Sequence, residues 1–417
     1  MVTMNPFYTW FVCIVWFLST YFVVVFLLCL FKNKANLFEH TTLKSDDELP
    51  TVSLVISAYN EGKNIGKSIE SLMAIDYPKK LFEAIIVNDG SNDNTADVVR
   101  RYANEKHIIF INNKKNKGKA VCLNQSISMA KGEFIACMDA DSVVSKDILK
   151  KTTPLFKNKK IGAVTVPVEV KNPKNFLEKV IEIEYIIGLS IFLKVLSFFN
   201  SVHVTPGPFS IYRKSLIHEI GGFDERSITE DLEIAYRIQK SGYKIDCYMN
   251  THVETIVPNN LKSLYIQRRR WYSGSLLTLW KHKNLVFNRN VRFFGYFIPF
   301  SYTLITLGLI LFLSSLYLSI SNLIKNLSFY SLTNFNFFAH FSLKDLDLLN
   351  FSIFGFFGIS LIIATYLIAA VGLKVYNKNI REKKVGFLGF FLLFFLYQFF
   401  WLMSFSRVFL ARRVKWR

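Results

Sequence analysis

Apolar residues in this chain are gathered into blocks at its two ends, and that segregation limits the fold more than any other feature. Pro6 to Phe31 runs without a charged residue, long enough at about 1.5 Å per residue to cross a bilayer as a helix. Three further apolar stretches, about Phe293 to Ile320, Phe351 to Leu373 and Val385 to Phe405, come at the other end. With 51% hydrophobic residues and 41 Phe among 417, the chain reads as a membrane protein with a polar module between its spans. A cleaved signal peptide would want a basic start and a shorter apolar core. No Lys or Arg precedes Pro6, whereas Lys32, Lys34 and Lys44 follow Phe31. The positive-inside bias then predicts residue 1 outside and the chain after residue 32 in the cytoplasm.

The resulting division is a transmembrane helix over 1–32, a polar linker over 33–49 and a cytoplasmic module over 50–274. An interfacial segment over 275–292 and a membrane region over 293–417, with two or three transmembrane helices, complete it. Lys374, Lys378, Arg381, Lys383 and Lys384 mark the loop before the last apolar stretch as cytoplasmic. Three spans would then leave Arg407, Arg412, Arg413, Lys415 and Arg417 outside, against the same bias. Either the last stretch is re-entrant or interfacial, or the bias fails here; three spans is the reading taken.

The formal charge of +20 suits nucleic acid, anionic lipid or phosphorylated ligands. Nucleic acid ranks last, because no zinc-finger, helix-turn-helix or RNP-like pattern accompanies the charge and many Lys and Arg flank apolar spans. Membrane lipids and a phosphorylated ligand remain. Cys13, Cys29, Cys122, Cys137 and Cys247 show no paired spacing and read as free, buried thiols. The seven His are scattered, which argues against zinc.

From Pro50 the pattern alternates strand and helix. Val52 to Ile56 is almost continuously apolar, as strands covered on both faces of a parallel sheet are. It ends in Ser57-Ala58-Tyr59-Asn60-Glu61-Gly62, before a helix with Ile65, Ile69, Leu72 and Met73 on one face. A second strand, Phe82 to Val87, ends in Asn88-Asp89-Gly90-Ser91-Asn92-Asp93-Asn94-Thr95, able to turn the chain and cap a helix. A third, around His107 to Ile111, leads through Asn116-Lys117-Gly118-Lys119 to a helix containing Ala120, Leu123, Ile127 and Ala130. The fourth, Phe134 to Met138, runs into Asp139-Ala140-Asp141. Such alternation predicts an open, mostly parallel, Rossmann-like α/β sheet with a ligand at the carboxyl ends of its strands.

Asn175 to Phe199 approaches transmembrane length, but Glu178, Lys179, Glu182, Glu184 and Lys194 interrupt it. An amphipathic helix on the inner leaflet is the expectation. Pro206 to Arg213 and Gly221-Gly222-Phe223-Asp224 read as loops, Thr229-Glu230-Asp231 opens a helix to Gln239, and Gly242 is its stop. Gln267-Arg268-Arg269-Arg270-Trp271 lies shortly before the membrane returns. Arg268 and Arg269 read as a basic cluster drawn to anionic lipid.

Several of these residues carry chemistry. In extended backbone Asp139 and Asp141 project to one side, and two hard oxygen ligands suit Mg2+ or Mn2+, which suits a diphosphate. A Tyr59 ring can stack on a base and the Asp89 carboxylate can accept an N–H. Lys119, after a glycine at a helix start, is placed to meet phosphate. A carboxylate in the Glu230-Asp231 turn can take a proton, although acidic residues also favour a helix start with no catalytic role. The Trp271 indole offers an apolar face to ligand C–H groups and Arg270 a planar fork to an anion.

Asp89, Asp139 and Asp141, Thr229 to Asp231 and Gln267 to Trp271, in this order, resemble membrane-integrated family 2 glycosyltransferases, over roughly Thr51 to Trp271. These are inverting enzymes of GT-A fold that include cellulose, hyaluronan, chitin and poly-N-acetylglucosamine synthases. The resemblance implies a nucleotide-sugar donor held by Tyr59, Glu61, Asp89, Lys119, Asp139, Gln267 and Arg270, with a UDP-sugar expected. It implies a divalent cation, Mg2+ or Mn2+, on Asp141 and Asp139, with Asp141 the more direct ligand. Asp231 becomes the general base, and Gly207, Glu230 and Trp271 meet the acceptor. Pro206-Gly207-Pro208 departs from the commonest acceptor loops, which leaves a polysaccharide and a lipid-linked acceptor both open. A non-processive glycolipid-forming enzyme and a catalytically silent scaffold are the alternatives. Donor sugar, oligomeric state and any accessory subunit are not legible.

Overall fold

The computed structural model describes residues 6–38, 49–332, 353–375 and 383–410. Lys44, Lys378, Arg381, Arg412, Arg413, Lys415 and Arg417, most of the 33–49 linker and Phe351 lie outside the described residues.

The chain begins with α1 (Pro6–Lys32) and a short 3-10 turn, Lys34–Phe38. Then come β1 (Val52–Ala58), α2 (Ile65–Met73), β2 (Phe82–Asp89), α3 (Thr95–Arg100), β3 (Ile108–Asn113), α4 (Lys119–Met129) and β4 (Phe134–Asp139). A second run contains β5 (Val143–Val144), α5 (Ile148–Thr152), β6 (Ile161–Thr165), β7 (Val168–Val170), α6 (Phe176–Ile186) and α7 (Phe192–Phe198). After it follow β8 (Ser210–Arg213), α8 (Lys214–Glu219), α9 (Glu230–Lys240), β9 (Lys244–Cys247), β10 (Val253–Thr255) and α10 (Leu261–Lys281). The last helices are α11 (Phe294–Leu332), α12 (Ile353–Val375) and α13 (Lys384–Leu410).

Seven strands form a sheet in the order β3-β2-β1-β4-β8-β6-β9. β1 runs parallel to β2 and β4, β2 parallel to β3, and β6 parallel to β9. Only β8 opposes its neighbours. This is the mostly parallel α/β sheet that the alternation predicts. Six of the seven residues of β1 and five of the six of β4 are buried, because helices cover both faces; that is why these segments are apolar in unbroken runs. On α2, Ile65, Ile69 and Leu72 are buried, and a three-stranded sheet, β5-β10-β7, adds a flap beside the main one.

Pairing of Ser57 with Asp139 and of Ala58 with Asn88 brings the ends of β1, β2 and β4 level. The turns after them therefore open on one edge, where open α/β sheets bind ligands.

Four expectations change. Asp89 is the last residue of a strand rather than a loop residue. Ser210–Arg213, expected as loop, is the antiparallel strand β8, whose Ser210, Ile211 and Tyr212 are buried between β4 and β6. Residues 175–199 form α6 and α7 joined by a π turn, Ile187–Ile191. Their apolar side chains Val180, Ile181, Ile183, Ile186, Leu193 and Leu196 are buried by protein, while Phe176 stays exposed. Their charges are answered internally: Lys383 to Glu182 at 2.7 Å, and Lys194 to Asp246 at 3.6 Å. Lastly, 275–281 continues α10, and two 3-10 turns, Lys283–Leu285 and Arg289–Val291, fill the rest of 275–292.

Two compact units are present. One comprises the described residues of 1–31 and 299–368, where the rings of Phe22 and Phe300 pack 5.8 Å apart. The other comprises 32–298 and the described residues of 369–417, so α13 belongs with the sheet. Among the described residues three helical stretches are long and apolar enough to cross a membrane: Pro6–Lys32, Phe294–Ser321 and Lys384–Leu410. The apolar stretch of α12 among the described residues, Thr365–Lys374, is shorter.

Candidate active site

The turns at the carboxyl edge of the sheet are tied to one another. The Asn60 N–H donates to Ser91 Oγ and the Asn92 N–H to Asn60 Oδ1, both at 2.9 Å. Asn60 reaches this geometry with φ +57°, which asparagine tolerates better than most residues. The Glu61 N–H donates to Thr95 Oγ1 at 2.9 Å and the Gly62 N–H to Asp93 Oδ2 at 3.0 Å. The Tyr59–Glu61 loop is thus held against the turn that follows β2. Just before α3, Asp93 Oδ1 accepts the N–H of Thr95, the first residue of that helix, at 3.0 Å.

Asp89 is buried, and its carboxylate accepts the N–H groups of Lys117 and Gly118 at 2.8 and 2.9 Å. It therefore fixes the turn from which Lys119 emerges. Gly118 stands just before α4 at φ +97°, a conformation that favours glycine.

Lys119 is the hub. Its Nζ lies 2.6 Å from Asp139 Oδ1 and 2.7 Å from Glu230 Oε1. One side chain thus joins the Asp-Ala-Asp turn to the first residue of α9. Burial would lower the Lys119 ammonium, but Asp139, Glu230 and Asp231 hold it well above the ordinary lysine range. Burial would raise Glu230; Lys119 and Arg270 outweigh it and bring that carboxyl below its usual value. Asp231 goes the other way. Burial, and then the Glu230 charge, push it up to about 6, with Lys119 and Arg270 opposing. Neighbouring carboxylates with affinities driven apart by their surroundings are what acid–base chemistry uses. The Thr205 N–H and Oγ1 donate to the Asp231 carbonyl, and Asp231 Oδ1 accepts the Leu232 N–H at 2.9 Å, which fixes the turn.

Asp141 is pushed up to about 7 by burial and by the charges of Asp139 and Glu61. Ser142 Oγ and Thr255 Oγ1 approach its Oδ1 only distantly, at 3.3 and 3.4 Å. Among the described residues no three His, Cys, Asp or Glu side chains form a ready metal cage. The Asp141 carboxylate, crowded by the charges of Asp139 and Glu61, still fits a hard divalent cation that takes its remaining ligands from a diphosphate.

Gly207 closes over this group. A Cβ there would sit 2.8 Å from Asp139 Oδ2 and 3.0 Å from Lys119 Nζ, a space that only glycine leaves open. Gln267, Arg270 and Trp271 lie on α10. Arg270 acts electrostatically on Glu230 and Asp231. The half-buried Trp271 packs 6.4 Å from the Tyr185 ring. The Gln267 carbonyl oxygen accepts from Arg268 Nη1 at 2.8 Å, so that side chain is committed to its neighbour.

Arg268 is the largest departure from expectation. It is fully buried rather than facing lipid, and pairs with Glu184 at 2.7 Å. Sequence reasoning also missed Asp93 and Thr95, whose bracing roles depend on a loop more than thirty residues away, and Tyr185 beside Trp271. Glu184, an acid set between the apolar Ile183 and Tyr185 of α6, was the available signal for a buried cationic partner.

Residues 53–221 match the family described as Glycosyl transferase family 2. A poly-beta-1,6-N-acetyl-D-glucosamine synthase of Staphylococcus aureus (strain COL) is 33% identical over 229 residues, 55% of this chain and 55% of that protein. The synthase of the same name from Staphylococcus epidermidis is 30% identical over 260 residues, 62% of this chain and 63% of that protein. The chain thus spans a little over half the length of these relatives. Among solved structures, a mannosyltransferase from Pyrobaculum calidifontis in complex with GDP-Man and Mn2+ shares the fold, with a TM-score of 0.57. It is 19% identical, over 88% of this chain and 100% of that one.

Proposed function

We propose that this chain, which carries a family 2 glycosyltransferase domain over residues 53–221, is a membrane glycosyltransferase that extends an N-acetylglucosamine polymer from UDP-N-acetylglucosamine. The observation that carries the reading is the Lys119 bridge between Asp139 and Glu230. It joins the Asp-Ala-Asp turn, which this reading gives to the donor phosphates, to the Glu230-Asp231 turn, which it gives to the acceptor. The polymer is favoured over a glycolipid by the names of the staphylococcal relatives.

In this reading the braced Tyr59–Glu61 loop and the edge of β2 hold the nucleoside, with Asp89 keeping the Lys117–Gly118 turn in place. Lys119 and Arg270 meet the diphosphate. Asp139 and Asp141 would hold the divalent cation, Mg2+ or Mn2+, which supplies Lewis-acid stabilisation of the departing diphosphate. Asp231 takes the proton of the acceptor hydroxyl as that oxygen attacks the anomeric carbon. The bond to the β-phosphate oxygen breaks, UDP leaves, and the configuration inverts. Glu230 stays ionised under Lys119 and Arg270, and Trp271 supports the acceptor sugar. Lys32 and Lys34 after α1, with no basic residue before it, support a cytoplasmic site.

Detergent-solubilised protein incubated with radiolabelled UDP-N-acetylglucosamine and Mn2+ should release UDP and build a labelled product that lengthens with time. No UDP release from a panel of UDP-sugars, with Mn2+ or Mg2+, would overturn the enzyme reading. A product of one fixed, lipid-extractable size would overturn the polymer.

A further inference from the structure

Nothing in the proposed mechanism uses Arg268, yet it is the largest fully buried side chain among the described residues. On α10 it stands three residues before Trp271, which puts both on one side of the helix. Its guanidinium carbon lies 4.1 Å from the centre of the Trp271 ring, the closest cation–aromatic approach among the described residues. Each nitrogen has its own partner. Nη2 donates to Glu184 Oε2 at 2.7 Å, Nη1 to Gln267 Oε1 at 2.8 Å, and Nε to the Tyr397 hydroxyl at 3.2 Å. The Tyr397 hydroxyl donates in turn to Glu184 Oε2 at 2.6 Å. Three hydrogen bonds in the plane of a guanidinium fix that plane, and a fixed plane fixes the ring lying over it.

The partners come from three places. Glu184 is on α6, beside the Tyr185 that packs on the same indole. Gln267 is on α10, and Tyr397 is on α13, a helix apolar enough to cross a membrane. A second contact joins α10 to α13 next door, where the rings of Tyr272 and Trp401 stack 4.1 Å apart at 8°.

We infer that Arg268 is a positioning residue that sets the plane of the Trp271 indole, and that Glu184 and Tyr397 make this setting depend on the last helix of the chain. The inference rests on Trp271 being the acceptor platform. It adds that acceptor affinity is controlled by a tyrosine more than a hundred residues away in sequence.

The test uses full-length protein carrying 5-fluorotryptophan, with the Trp271 signal identified among the six tryptophans by its loss in Trp271→Phe. Arg268→Lys keeps the charge opposite Glu184 but removes the planar fork. Tyr397→Phe removes one hydroxyl, and decides the matter should the first variant fail to fold. Both should move the Trp271 resonance and leave those of Trp10, Trp16 and Trp280 in place. With a β-1,6-linked N-acetylglucosamine tetrasaccharide as acceptor, Arg268→Lys should raise acceptor KM at least about tenfold while donor KM stays within about twofold. Tyr397→Phe should act in the same direction, more weakly. An unmoved Trp271 signal in both variants overturns the inference, as do donor and acceptor KM rising together while all six signals shift. Wild-type protein that uses no such acceptor would instead sink the polymer reading, and the fluorine spectra would still decide what holds Trp271.

Discussion

Asp231 gives the sharpest prediction, because its surroundings set the pH at which it can accept a proton. Burial and the adjacent Glu230 raise its carboxyl to about 6. A carboxyl with that midpoint is about nine-tenths ionised at pH 7 and about one-tenth at pH 5. A general base works only when ionised, so kcat/KM should fall about tenfold from pH 7 to pH 5, with its midpoint near 6. Asp231→Asn should lower kcat at least about a hundredfold while UDP affinity is kept, and Glu230→Gln should move the limb to lower pH by removing a charge that opposes ionisation. Asp141, raised to about 7, would titrate nearby, but a saturating cation holds it ionised. A limb that moves with Mn2+ concentration therefore belongs to Asp141, and one that stays belongs to Asp231. The assay is initial-rate transfer across pH 5 to 8 at saturating Mn2+. A flat wild-type profile between pH 5 and 7, or an Asp231→Asn variant near the wild-type rate, refutes the assignment.

Removing divalent cations with EDTA should abolish transfer, and Asp141→Asn should weaken Mn2+ binding measured by electron paramagnetic resonance in the presence of UDP; full activity after chelation would contradict both. Gly207→Ala should cut turnover about tenfold with little change in thermal midpoint, since its Cβ presses on a carboxylate already clamped by Lys119, an overpacking worth about 1–3 kcal/mol. Glu233 is held at about 2 although burial opposes this, because His282, Lys281 and Arg237 surround it. Its carboxyl is depressed below the ordinary 4.5, so it adds stability above that pH and loses it as pH falls towards 2. Glu233→Gln should therefore lower the unfolding free energy at pH 7 by about 1–3 kcal/mol, given that Lys281 is half exposed, and flatten the acid decline between pH 4.5 and 2. Equal acid profiles for the two proteins would refute this.

The features readable from sequence are those that local periodicity controls. Val52 to Ile56 and Phe134 to Met138 announce buried strands because both faces of a parallel strand need apolar side chains, and the Asp-Ala-Asp turn is legible from its place at the end of one. What escaped depends on partners far along the chain. Three consecutive arginines look alike in sequence; Arg268 is distinguished only by Glu184 and Tyr397, 84 and 129 residues away. β8 follows a Pro-Gly-Pro turn, so its short apolar stretch carries no strand signal until β4 and β6 bracket it. Asp89 looked like a loop residue because its carboxylate serves the backbone of another loop.

The joining of α6 to the chain's final helix bears on how such a protein can be cut. Dividing it after residue 292 to obtain a detergent-free fragment would strip Lys383 from Glu182 and Tyr397 from Glu184, leaving Glu182 without that cation and Glu184 with Arg268 but without the tyrosine hydroxyl. Trp401 would leave Tyr272 at the same stroke. The sheet-bearing half is in this sense not a cargo carried by an apolar anchor, for part of its own interior is supplied by a segment dressed for lipid.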